Sequence, residues 1–154
     1  MPRIAVGKKV PQFPLPATGG NEWAPSPGEK LVIYFYPKDM TTGCTLESQQ
    51  FRDLHAAFRK SKTRVVGVSR DSIASHDKFR TRENLPFDLL SDADEKLCKI
   101  FDVIKLKSLY GRKFMGIERS TFLIDGDGVL RQEWRKVKVA GHAQEVLDAA
   151  KALK

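Results

Sequence analysis

The strongest pattern along the chain is an unbroken apolar run over residues 31–36, followed by a short polar turn and then apolar positions at helical spacing. A run without polar alternation is the pattern of a strand covered on both faces. Residues 44–60 then read as a helix with Leu46, Phe51, Leu54 and Phe58 along one face. Residues 64–69, carrying Val65, Val66 and Val68, predict a second buried strand, after which Asp71 or Ser72 can cap a helix running to about Arg82. Residues 87–90 read as a short third strand, and Ser91 or Asp92 opens a helix over residues 93–101. The basic stretch 103–118, which holds Gly111 and Gly116, is expected to be a long connection. Two strands, Ser120–Ile124 and 129–134, flank Asp125-Gly126-Asp127-Gly128, a hairpin signal. A last helix over residues 142–153 carries Val146, Leu147, Ala150 and Leu153 as its apolar stripe. Ahead of all this, the proline- and glycine-rich residues 11–30 are expected to be an irregular lead-in with a short hairpin near Trp23.

A β-α-β-α-β-α series closed by a hairpin and a helix defines an α/β sandwich, a mixed central sheet flanked by helices. At 154 residues the chain is expected to be a single domain, 1–154, with a core that needs no staples. No apolar stretch approaches the ~18 residues of a membrane span, and no apolar signal segment follows Met1. Two cysteines, without metal-type or disulfide-framework spacing, suit a reducing compartment, so the expectation is cytoplasmic, with no metal and no membrane partner. The net charge of +8 is dispersed in pairs such as Lys8-Lys9 and Arg112-Lys113, with no like-charge run of five and no nucleic-acid motif. A solvated basic surface is the reading, not a nucleic-acid partner.

Chemistry concentrates after the first strand. Thr41-Thr42-Gly43-Cys44 places a thiol in the first turn of a helix, where unpaired N–H groups and the macrodipole favour negative charge. Such a cysteine is expected to ionise more readily than a free one at ~8.5. Thr41 is the natural N-cap, its hydroxyl accepting from the Cys44 N–H. Functional groups of open α/β sheets gather beyond the carboxyl ends of the parallel strands. If Ser120–Ile124 runs antiparallel to the 31–36 strand, Arg119 arrives at that same edge, a guanidinium beside the thiolate with several donors to offer. Glu47, one turn along from Cys44, could hold Arg119, and Pro37 would shield the pocket from water.

Pro37-x-x-x-Thr41-x-x-Cys44, Glu47 and the later Arg119-Ser-Thr-Phe-Leu-Ile-Asp resemble the peroxiredoxins. Tyr34-Phe35-Tyr36-Pro37-Lys38-Asp39, Gly67-Val68-Ser69-Arg70-Asp71 and Phe87-Asp88-Leu89-Leu90-Ser91-Asp92 narrow the resemblance to the bacterioferritin comigratory protein (PrxQ) subfamily, over nearly all of residues 5–153. The resemblance implies a thioredoxin-like fold and a thiol peroxidase without metal or organic cofactor. Cys44 would be the peroxidatic cysteine, with Thr41, Arg119 and the backbone of Gly43 and Cys44 orienting a peroxide. The sulfenic acid so formed would be reduced by an external thiol such as glutathione, glutaredoxin or thioredoxin.

The chain also departs from those relatives. The resolving cysteine that many carry five residues after the peroxidatic one is here Gln49, and the alternative position about 36 residues downstream falls near Arg80. Cys98 is the one remaining candidate and reads as a buried structural residue, so one-cysteine turnover is expected, with a two-cysteine cycle through Cys98 as an alternative. Thr42 replaces a frequent proline, which leaves the helix start less pre-organised. A dithiol oxidoreductase would need a cysteine where Thr41 stands, whereas a monothiol enzyme acting on glutathione mixed disulfides stays open. A cysteine hydrolase would need a histidine beside Cys44, yet His55 lies about 16 Å along the helix at ~1.5 Å per residue. A non-enzymatic binding module is the other alternative, one in which Cys44→Ser would change nothing. With no extension after the last helix, a monomer or weak dimer is expected.

Overall fold

The computed structural model describes residues 4–11, 14–26 and 28–153. The remaining residues of the 1–154 span, including 12, 13 and 27 of the lead-in, lie outside the described residues. Among the described residues, nine strands and five α-helices follow in the order β1 (Leu15–Ala17), β2 (Asn21–Trp23), β3 (Lys30–Phe35), α1 (Thr42–Asp53), α2 (His55–Lys60), β4 (Thr63–Ser69), α3 (Ile73–Glu83), β5 (Leu89–Ser91), α4 (Lys96–Ile100), β6 (Ile104–Leu109), β7 (Arg112–Ile117), β8 (Ser120–Ile124), β9 (Leu130–Trp134) and α5 (His142–Ala152). Seven strands form one mixed sheet in the order β2-β1-β5-β4-β3-β8-β9. β3 and β4 pair in parallel from Lys30↔Thr63 to Phe35↔Val68, and β4 pairs in parallel with β5. β8 runs antiparallel to β3, from Leu31↔Ile124 to Phe35↔Ser120.

The unbroken apolar character of β3 has the expected cause, because both faces of the sheet are buried. Leu31, Ile33 and Phe35 point into one layer with Val66, Val68, Leu97, Cys98, Phe101 and Phe122. Val32, Tyr34 and Tyr36 point into the other, with Cys44, Phe51, Phe58, Phe79, Val146 and Leu147. Helices α1, α2, α3 and α5 therefore cover the second face, while α4 covers the first.

Four expectations need correction. Residues 44–60 are not one helix: the backbone at Leu54 (φ −98°, ψ 3°) separates α1 from α2. Leu46 does not join the buried stripe and is exposed, because residues 46 and 51 stand about 140° apart around a helix of 3.6 residues per turn. The stripe that α1 buries is Cys44, Glu47, Ser48 and Phe51, spaced i, i+3, i+4, i+7. Residues 103–118 are not an open connection: β6 and β7 form a separate hairpin, registered from Ile104↔Ile117 to Leu109↔Arg112. Its turn is Tyr110-Gly111, both at positive φ (51° and 77°), as a two-residue primed turn requires. Finally, α4 starts three residues later than expected, at Lys96, with Glu95 and not Ser91 or Asp92 at the N-cap, although Asp92 reaches its first turn by accepting from the backbone N–H groups of Leu97 (3.1 Å) and Cys98 (2.7 Å). Elsewhere the expected elements stand, with ends moved by one or two residues and Ser72 as the N-cap of α3, accepting from the Ser75 N–H.

Candidate active site

Cys44 sits in the first turn of α1 and is buried. The antiparallel pairing of β8 with β3 puts Ser120 opposite Phe35, so Arg119 arrives beside the helix that follows β3. Arg119 Nη2 donates to Cys44 Sγ at 3.3 Å, and Nη1 donates to Glu47 Oε1 at 2.6 Å. One planar guanidinium thus serves the thiol and the carboxylate at once. Burial works against the Arg119 cation, but the charges of Glu47 and Cys44 outweigh it and raise its pKa further. Gly43 leaves room for the approach, since a Cβ there would stand 3.2 Å from Arg119 Nη2.

Glu47 is fully buried. Burial pushes its carboxyl up to about 7, against the pull of Arg119 in the other direction. Its second oxygen, Oε2, has no hydrogen-bond partner among the described residues. Under the same helix, the Tyr34 hydroxyl and Ser48 Oγ lie 2.8 Å apart, fixing α1 to β3.

Thr41 does stand at the N-cap of α1, with extended backbone (φ −83°, ψ 156°), but its side chain does not cap the helix. The hydroxyl instead donates back to the Lys38 carbonyl at 2.8 Å, across the loop. Both partners are local alternatives for a threonine at a helix start, and the Lys38 carbonyl prevails. The Thr41 carbonyl accepts from Thr45 N–H at 2.9 Å and so begins the helix. Pro37 is half-buried and leads into this loop directly after β3.

Cys98 is buried in the layer opposite Cys44, with the sheet between them. Burial, helped by the neighbouring Asp92 carboxylate, pushes its thiol well above the ordinary range. The two positions at which the resemblance led to the expectation of a resolving cysteine hold other bonds: Gln49 Nε2 donates to Glu83 Oε1 at 2.8 Å, and Arg80 Nε donates to the Leu85 carbonyl. Two of the three histidines are tied to other groups. His142 Nε2 lies 2.8 Å from Thr121 Oγ1, and His76 Nε2 lies 2.9 Å from the Leu90 carbonyl.

Sequence reasoning missed two features. Lys107 on β6 is electrostatically coupled to the site, its pKa lowered by burial and by Arg119 while Cys44 opposes the shift. Reading 103–118 as a strand pair, from the alternation of Lys105, Leu106 and Lys107, would have located it. A buried hydrogen-bonded cluster around Asp39 and His76 was also missed.

A buried thiol in a helix's first turn, beside a guanidinium carried in by an antiparallel strand of a mixed sheet, defines a cysteine-based redox site on an α/β scaffold. Residues 6–133 match the AhpC/TSA family, and the chain belongs to it, among the peroxiredoxins of Bcp (PrxQ) type. Peroxiredoxin Bcp of Xanthomonas campestris pv. campestris is 52% identical over 142 residues, covering 91% of this chain and 89% of the relative. Peroxiredoxin Bcp of Bacillus subtilis is 49% identical over 150 residues, 96% of each chain. Among solved structures, a cysteine-to-serine mutant of PrxQ from Xylella fastidiosa superposes with a TM-score of 0.93 at 42% identity, covering 99% of this chain and 98% of that one. A structure of the Xanthomonas campestris bacterioferritin comigratory protein, described in terms of alkyl peroxide reduction activity and trapped intermediate or ligand complexes, gives a TM-score of 0.87 at 51% identity, over 91% and 90% of the two chains. The thioredoxin-like fold of these neighbours is the fold of this chain.

Proposed function

We propose that this chain, acting as one domain, reduces hydrogen peroxide and organic hydroperoxides by one-cysteine turnover at Cys44. The chain is a thiol-dependent peroxidase, as its family membership and its peroxiredoxin Bcp relatives establish. The finer reading rests on one observation above others, the donation from Arg119 Nη2 to Cys44 Sγ at 3.3 Å. The deprotonated sulfur attacks the terminal oxygen of the peroxide in line. An S–O bond forms as the O–O bond breaks, and the leaving oxygen takes up a proton to depart as water or an alcohol. Cys44 is left as a sulfenic acid. Negative charge moves from sulfur to the leaving oxygen during this step, so fixed donors around both atoms lower the barrier. Arg119 and the backbone N–H groups of Gly43 and Cys44 fill that role, joined by the Thr41 hydroxyl when its single hydrogen turns from the Lys38 carbonyl to the peroxide, while Glu47 holds Arg119 and Pro37 limits water.

Recovery needs two thiol equivalents: the first forms a mixed disulfide with Cys44 and releases water, and the second frees the thiol. An external reductant such as thioredoxin, glutaredoxin or glutathione supplies them, and Cys98 takes no part. The protein works in the cytoplasm as a monomer or weak dimer. No helix among the described residues is long and apolar enough to cross a membrane. Mass spectrometry after one equivalent of peroxide tests the reading: it expects one added oxygen on Cys44 or its dimedone adduct. An unmodified Cys44, or a Cys44–Cys98 disulfide, would overturn it.

A further inference from the structure

The loop between β3 and α1 is short and held in an unusual shape. Met40 is exposed yet adopts φ 63°, a left-handed conformation that side chains resist and that persists where the surroundings impose it. The residue before it, Asp39, is buried, and every contact of its carboxylate reaches out of the loop's tip. The Tyr36 hydroxyl donates to Oδ1 at 2.6 Å, Ser75 Oγ donates to Oδ2 at 2.8 Å, and His76 Nδ1 lies 2.7 Å from Oδ2. The Asp39 backbone N–H is held as well, donating to Asp71 Oδ2 at 2.9 Å, an oxygen that also accepts from Ser69 Oγ at 2.6 Å.

His76 is the centre of this arrangement. It is fully buried, and its Nε2 faces the Leu90 carbonyl at 2.9 Å. Neither the Leu90 carbonyl nor the Asp39 carboxylate has a proton to give, so the ring donates from both nitrogens, Nε2 to Leu90 and Nδ1 to Asp39. The ring then spans from the backbone of β5 to the carboxylate that ends the loop. Asp39, Asp71 and His76 converge to within 4.8 Å, but their facing atoms are spent on one another, on Ser69, on Ser75 and on the loop's own backbone. What these bonds hold is chain. Thr41 follows two residues after Asp39, its hydroxyl tied to Lys38 on the other side, and Cys44 lies three residues further into the helix.

We propose that His76 is a positioning residue for the peroxidase reaction: bridging the Leu90 carbonyl and the Asp39 carboxylate, it fixes the loop that sets Thr41 and the first turn of α1 around Cys44. This rests on the reading of Thr41 as a donor to the bound peroxide. Two substitutions separate positioning from mere packing. The amide nitrogen of His76→Asn can stand where Nδ1 stands and still reach Asp39, whereas that of His76→Gln can stand where Nε2 stands and reach only Leu90. Stopped-flow oxidation by hydrogen peroxide is the readout, with iodoacetamide alkylation of Cys44 at the same pH as the comparator. Alkylation consumes the thiolate without needing an oriented peroxide.

His76→Gln is expected to lower the peroxide rate constant by about tenfold and His76→Asn by less than about threefold, with alkylation unchanged in both. Equal peroxide rates in the two variants, or the better rate in His76→Gln, would overturn the proposal. Should either variant fail to fold by circular dichroism, Tyr36→Phe and Ser75→Ala each remove one donor to Asp39 and decide the matter. Each is then expected to slow the peroxide step by about threefold, and wild-type rates in both would overturn the proposal. A wild-type Cys44 that does not react with peroxide would count against the peroxidase reading itself, a separate result.

Discussion

Arg119 stands between two acceptors, and its shape lets it serve both. Glu47 Oε1 takes Nη1 at 2.6 Å and Cys44 Sγ takes Nη2 at 3.3 Å. A lysine carries the same charge but cannot span both partners in one fixed plane. Arg119→Lys is therefore expected to slow the reaction with hydrogen peroxide by about a hundredfold, the scale of losing one fixed donor to a developing anion. Stopped-flow fluorescence would read it, and a rate near wild type would mean that charge alone suffices. Glu47 adds a pH dependence to stability. Burial raises its carboxyl from the ordinary 4.5 to about 7 in the folded chain, against the opposing pull of Arg119. Between those pH values the folded state holds more of the Glu47 proton than the unfolded chain does, so stability falls as pH rises. The stabilising contribution is complete below about pH 4.5 and gone above about 7. Relative to Glu47→Gln, which has no such proton, the wild type should lose on the order of 3 kcal/mol across that window. Urea unfolding of both proteins at pH 5 and pH 8 measures it; a constant difference between them would reject the assignment.

At the scale of elements, the first turn of α1 is shaped around an incoming side chain. Gly43 lies where a Cβ would come within 3.2 Å of Arg119 Nη2, so Gly43→Ala asks the guanidinium to give way by a few tenths of an ångström. Alanine is the better helix former by up to ~1 kcal/mol. The variant is therefore expected to keep or slightly raise its melting temperature while its peroxide rate constant falls about threefold to tenfold. Calorimetry and stopped-flow measurements on one preparation check both halves, and an unchanged rate would show that Gly43 leaves Arg119 room to spare. The Cys44–Arg119–Glu47 cluster was legible in sequence because it follows from topology: antiparallel pairing of two apolar runs fixes which residue meets the end of β3. The Thr41 hydroxyl was not, since a backbone donor (the Cys44 N–H) and a backbone acceptor (the Lys38 carbonyl) are both within local reach of the side chain and only the loop's shape decides. The β6–β7 hairpin was missed for a related reason. Tyr110-Gly111 takes the positive φ values of a primed turn without the Asn-Gly or Asp-Gly pair that announces one. The Asp39–His76 cluster joins loop to helix 37 residues apart, and no periodicity in either segment announces that pairing.

Across the whole molecule, the sheet partitions the two thiols. Cys44 belongs to the layer of Val32, Tyr34 and Phe51, and Cys98 to the layer of Ile33, Phe35 and Phe101. A disulfide requires Cα atoms within ~7 Å, so one cysteine would have to leave its layer and take part of an aromatic core with it. Phe101 packs on Phe122 at 4.6 Å between ring centroids, and Phe35 on Phe101 at 5.3 Å, immediately beside Cys98 in that core. The Cys98 backbone is held too, its N–H donating to Asp92 Oδ2 at 2.7 Å. Burial further disfavours the Cys98 thiolate, the form a disulfide exchange would call on if that residue acted as an attacking thiol. The same two-layer construction that buries β3 on both faces therefore separates Cys44 from Cys98, and in the one-cysteine cycle proposed above the reductant comes from solvent. Cys98→Ser is expected to keep multi-turnover peroxidase activity within about twofold of wild type when an external thiol is supplied, since an interaction absent from the cycle changes neither kcat nor KM. Its oxidised form should show the same added oxygen on Cys44 by mass. Loss of turnover in Cys98→Ser, with single-turnover oxidation of Cys44 intact, would place Cys98 in the cycle and require the sheet layers to open during catalysis.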